Sequence, residues 1–63
     1  MAHFVKLTLA EPGIGAPFGE SWVNANLILR LEEHTRTTIV RTADGGWFHV
    51  AETIPEIIAL SKT

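Results

Sequence analysis

Residues 22–58, WVNANLILRLEEHTRTTIVRTADGGWFHVAETIPEII, decide the fold. At the centre, residues 37–42 (TTIVRT) are β-branched at five of six positions, and such side chains fit a pleated, half-buried surface. Ala43-Asp44-Gly45-Gly46 follows, and Asp-Gly between two apolar runs is a strong hairpin signal. Residues 47–51 read as the returning strand, with Phe48 and Val50 on one face and Trp47, His49 and Ala51 on the other. Both faces carry aromatic or apolar groups. One side is expected to pack on a helix and the other on something outside the chain.

Upstream of this hairpin, residues 27–33 (LILRLEE) do not separate the helical period from the strand period. Length favours a strand, with a short helix as the alternative. Asn24-Ala25-Asn26 forms a corner or single helical turn, because Asn bonds its own backbone and tolerates left-handed geometry. A short strand over residues 21–24 precedes it. Downstream, Thr53-Ile54-Pro55-Glu56 is a capping box. Pro55 sits in the first turn, where backbone N–H groups have no helical partner to lose. Ile54, Ile57, Ile58 and Leu60 then form an apolar stripe, predicting a helix over residues 54–61. About two turns cannot stand alone in water, so this helix must lie on the sheet.

The N-terminal third adds one strand and one loop. Residues 3–9 alternate, placing Val5, Leu7 and Leu9 on one face and Phe4, Lys6 and Thr8 on the other. Residues 10–20 (AEPGIGAPFGE) hold two of the three Pro and three of the five Gly, and they read as a long hairpin connection. They lack the Gly-Lys-Ser/Thr of a phosphate loop, and Phe18 stands where a dinucleotide fingerprint needs its third Gly. The predicted fold class is α+β, mainly β: a single small domain, an antiparallel four- to five-stranded meander with one short C-terminal helix packed on it. The expected core is Val5, Leu7, Leu9, Val23, Ile28, Leu31, one of Ile39 and Val40, Phe48, Val50, Ile54, Ile57 and Ile58.

A chain of 63 residues buries only about 60% of its unfolded surface, so a solitary core is marginal. Small domains usually add disulfides, a metal or a partner. There is no Cys, which removes the first route and any thiolate metal site. Hydrophobic residues make up 46% of the sequence, enough for a core and an interface. A homo-oligomer is therefore expected. The interface candidates are the large groups left on the nominal polar face or in the loop: Phe4, Ile14, Phe18, Trp22, Trp47 and His49.

Charge and motif content narrow the function. The net charge is −2 and no two basic residues are adjacent. The basic face that a nucleic-acid binder uses to neutralise phosphates is missing. No apolar run approaches the ~20 residues needed to span a bilayer, and the N-terminus lacks a signal-peptide pattern. The expected location is the cytoplasm, without membrane insertion. His3, His34 and His49 match no ligand spacing, so no metal or other cofactor is expected. Glu32 and Glu33 are adjacent on a strand and point to opposite faces, which defeats a carboxylate pair. Ser21 and Ser61 fit no hydrolase ordering. Arg30, Arg36 and Arg41, interleaved with Glu32, Glu33 and Asp44, read as a mixed-charge solvated face. No catalytic residue is assigned, and the chain reads as a non-enzyme.

Residues 22–60 resemble the FlbD-like family of small proteins from flagellar and swarming-motility operons. The matching features, in order, are Trp22-Val23-Asn24, Leu27-Ile28, Glu32, Thr38-Ile39-Val40, Asp44-Gly45, Val50-Ala51-Glu52-Thr53 and Glu56-Ile57-Ile58. The resemblance implies a compact β-rich protein without enzymatic activity that acts in motility through protein partners. Thr42-Ala43-Asp44-Gly45 and the closing helix also resemble LytTR-type DNA-binding domains. Those domains are longer and carry more positive charge in their DNA-contacting loops. The expected function is a self-associating protein-interaction module; the alternative is a small regulatory nucleic-acid-binding protein.

Overall fold

A computed structural model describes residues 3–62. Within them lie β1 (Phe4–Ala10), β2 (Pro17–Asn24), a single 3-10 turn (Ala25–Leu27), β3 (Ile28–His34), β4 (Thr37–Thr42), β5 (Trp47–Val50) and α1 (Ile54–Ser61). The strands form one antiparallel sheet in the order β2-β1-β5-β4-β3. β3, β4 and β5 make a meander, and the β1–β2 hairpin joins it through β1. The predicted fold class therefore holds. Residues 27–33 are strand rather than helix, shifted by one residue because Leu27 belongs to the turn.

One expectation is corrected. The long connection predicted over residues 10–20 is a short loop, because β2 begins at Pro17. β1 pairs with β2 as far as Ala10↔Pro17, across a register shift after Leu9. Pro and Gly exclude a central strand, but β2 lies at the sheet edge, where Pro is tolerated at the first position. The remaining loop is tied to itself. Glu11 N–H donates to the Ala16 carbonyl at 3.0 Å, and Gly15 N–H donates to the Glu11 carbonyl at 2.8 Å.

The sheet has a packed face and an open face. Val5, Leu7, Val23, Val40, Val50 and Ile57 form the buried cluster, with Leu9, Ala25, Ile28, Leu31 and Phe48 packed against it. Cross-strand register places these groups on one side: Val5 faces Val23, Leu9 faces Val50, and Val40 faces both Phe48 and Leu31. Each fully buried aliphatic side chain contributes about 1.5–3 kcal/mol. Of the pair Ile39 and Val40, Val40 is the core residue. Ile58 is corrected: α1 turns Ile57 into the cluster and leaves Ile58 42% exposed. Ala10, Thr37 and Thr38 are buried without having been expected there.

α1 contacts both β1 and β3, so it crosses the sheet rather than following one strand. Its start has the predicted chemistry. Thr53 Oγ1 accepts from Glu56 N–H at 3.3 Å, and Glu56 Oε1 accepts from Thr53 N–H at 2.9 Å. Glu52, just before this cap, closes the weakest seam of the sheet. β1 and β5 share a single register pair, Leu9↔Val50. Beyond it the Glu52 carboxylate takes the place of a strand: it accepts from Thr8 N–H at 2.9 Å and from the Thr8 hydroxyl at 3.0 Å. The Glu52 carbonyl accepts from the Thr38 hydroxyl at 2.7 Å. One residue thus links β1 to β4 where β5 has ended.

Candidate functional site

Strand alternation builds the open face. The residues between the core residues of β1 point to the other side, so Phe4, Lys6 and Thr8 share a side with Asn24, Trp22 and Glu20 of β2. Trp22 is opposite Lys6, and Phe4 is one step along on the diagonal, within reach of a large ring. Trp22 is 66% exposed, and Phe4 and Phe18 are exposed to a similar degree. The Lys6 ammonium lies 3.5 Å from the Glu20 carboxylate, a solvent-exposed pair of the kind that contributes little.

On β5 the same side carries Trp47 and His49, facing Arg41 and Ile39 of β4. Trp47 is 58% exposed. Its ring meets the edge of the His49 ring, with centroids 5.7 Å apart. His49 in turn meets His34 at 5.0 Å, and its Nδ1 lies 2.9 Å from the Thr37 hydroxyl. Burial, and then the charge of His34, push the His49 pKa below its ordinary value. His49 is therefore half-buried and partnered within the chain, unlike the other five interface candidates, which are all exposed.

Of the charged residues read from sequence as one mixed-charge face, Arg30, Arg41 and Glu32 come together. Arg30 and Arg41 face each other across β3 and β4, and both reach Glu32 of β3. Arg41 Nε donates to Glu32 at 2.7 Å, and Arg30 Nε lies 3.3 Å away from it. The Arg41 hydrogen bond, with the charges of Arg41 and Arg30, holds Glu32 below the usual carboxylate range against a contrary push from burial. Arg36 lies apart, in the β3–β4 turn.

Two histidines come together, but His3 does not join them in any ring contact or hydrogen bond between side chains. Among the described residues no group of three or more His, Asp or Glu is placed to hold a metal ion. An open groove of about 540 Å³ runs between β4 and the start of α1, lined in part by Glu33, His34, Thr37, Thr38, Glu52 and Thr53. Three of its hydroxyls are already engaged: Thr37 with His49, Thr38 with the Glu52 carbonyl, and Thr53 with Glu56. Glu33 and His34 are consecutive on β3 and take opposite faces.

Leu29 was missed by sequence reasoning and is 74% exposed. A register shift between Ile28 and Arg30 takes it out of the ladder, and nothing in the apolar run LILRL marks where that shift falls. Ile58 and Leu60 of α1 add further exposed apolar surface. No helix among the described residues is long and apolar enough to cross a membrane. No family model matches the chain, and no curated protein or solved structure matches it.

Proposed function

We propose that this chain is a non-enzymatic protein-interaction module that associates with copies of itself through the open sheet face centred on Phe4 and Trp22. One observation carries the reading. The sheet's single helix serves one face, and the other leaves Phe4, Trp22 and Trp47 more than half exposed. Phe4 and Trp22 are diagonal neighbours on that face, while Trp47 stands at the other end of β5; exposed apolar groups brought together in this way mark interaction sites, and Trp is enriched where binding energy concentrates. The resemblance to small motility proteins supports an accessory role in flagellar or swarming motility, with further protein partners, in the cytoplasm. Light scattering over a dilution series tests the self-association. The mass should exceed one chain at high concentration and fall on dilution, and Trp22→Glu should hold it at one chain throughout. A wild-type mass of one chain at every concentration would contradict the proposal.

A further inference from the structure

We propose that two copies join through the free edges of β2, pairing antiparallel about a two-fold axis at Ser21 to make one continuous sheet. This rests on the self-association proposed above and specifies its geometry. β2 is terminal in the strand order, so one side of its backbone has no strand beside it. Ladder parity tells which groups face outward. The Thr8 N–H donates to Glu52 and the Thr8 carbonyl accepts from Ala51 N–H, so Thr8 is turned toward β5. Antiparallel ladders alternate, so Leu7 and Leu9 are the β1 residues that bond β2, through Ser21 and Gly19. The amides of Glu20 and Trp22 therefore point away from β1, into the open edge.

The other edge is better guarded. β3 carries Arg30, Glu32 and Glu33 and is broken by its register shift. Charges and irregularities of this kind keep edges from pairing. β2 has one formal charge, Glu20, with the Lys6 ammonium 3.5 Å from its carboxylate. Its bulge and its proline lie at one end and leave residues 19–24 regular.

A second copy fits because the edge is complementary to itself in one register. With the axis at Ser21, Glu20 of each copy stands opposite Trp22 of its mate. Both residues then exchange N–H and C=O bonds across the edge. Centring on Glu20 would set two carboxylates face to face, and like charges directly opposite are destabilising. Centring on Trp22 shortens the ladder and runs it into Asn24, whose side chain is already capping Asn26 N–H at 3.0 Å. A shift by one residue would turn the aromatic face of one copy to the packed face of the other. The Ser21 register also sets Trp22 of each copy on the diagonal to Trp22 of its mate, within reach of a large ring, so the two rings pack side by side across the new seam, an isologous contact that closes on itself.

The absence of Cys makes the test direct. Across the axis Ser21 would face its own copy as a non-hydrogen-bonded pair, with Cα atoms about 4.5 Å apart. That separation lies within the range a disulfide spans. Under mild oxidation Ser21→Cys should give a covalent dimer at least tenfold faster than Leu29→Cys. Glu20→Pro removes an outward N–H, spares the β1 ladder, and should reduce the mass to one chain where wild type and Glu20→Gln remain associated. Far-UV circular dichroism checks that the Pro variant is folded; if it is not, the Cys pair decides. If wild type associates but Ser21→Cys links no faster than Leu29→Cys, or folded Glu20→Pro keeps the wild-type mass, the edge geometry fails and self-association stands. If wild type is a monomer throughout, both fail.

Discussion

Gly15 shows how much one position can constrain. Its φ is +78°, and a Cβ built on it would come within 2.9 Å of the Arg36 carbonyl oxygen. Gly13 has a similar φ of +83° but open space around it. Gly13→Ala should cost about 1 kcal/mol from backbone strain alone, and Gly15→Ala should cost more, about 2–3 kcal/mol, because backbone must also move. Urea midpoints of the two variants check the order. His49 contributes to the response to acid near neutrality. Its folded pKa lies below the ordinary 6.5, so the neutral form is the one that folding favours. Its contribution is complete above about pH 6.5 and is lost as pH falls through the folded value. Glu32, Asp44 and Glu56 are lowered too, each first by a hydrogen bond (from Arg41, from the Thr42 hydroxyl, and from Thr53 N–H), so their contributions disappear at more acid pH. Melting temperature should hold above pH 6.5 and fall below it, and His49→Gln should remove the first part of the decline while leaving the second. Residue-scale features were only partly legible. Of the four exposed aromatics, Phe4 and Trp47 could be read from alternation alone. His49's partners could not, because Thr37 and His34 reach it only through the register of β3, β4 and β5. Arg36 at φ 60° is also invisible in sequence, since Thr-Arg is no turn signature.

Elements follow local chemistry closely where that chemistry is specific. The helix starts at Ile54 because Thr53 and Glu56 cap each other, and both residues were identifiable from spacing. Thr53→Ala should cost about 1 kcal/mol. Ile57→Ala, which empties a buried site between α1 and the sheet, should cost 2–5 kcal/mol. For a domain of this length total stability is on the order of 3–9 kcal/mol, so the second change should remove a large share of it. Thermal melts of both variants test this ranking. Glu52→Ala should cost about 1–3 kcal/mol by stranding the Thr8 N–H at the β1–β5 seam. Hydrogen exchange at Thr8 should accelerate in that variant more than exchange at Val40. The start of β2 was illegible for a definite reason. Pro17 and Gly19 are breakers in a central strand but acceptable at an edge, and sequence does not say which strand will be the edge. Ile58 was misplaced because a two-turn stripe leaves its inward direction undecided by one residue.

At the scale of the whole molecule the account turns on a mismatch between sheet and cover. Five strands present two faces, and one eight-residue helix can serve only one of them. Composition and alternation make that mismatch legible in the sequence itself. What occupies the second face was not legible, because a partner leaves no mark on alternation. The absence of a basic face leads to a further expectation: no gel shift with duplex DNA at low salt. A shift that weakened steeply as salt was raised would instead favour the nucleic-acid alternative. The central claim is that another copy packs against Trp22, and fluorescence reads it directly, because the chain has two Trp and Trp47→Phe leaves Trp22 as the only reporter. Acrylamide quenching of this variant across a concentration series should weaken, with a blue-shifted emission, as protein concentration rises. Quenching that stayed strong and unchanged from the lowest to the highest concentration would show Trp22 in water throughout and contradict the account.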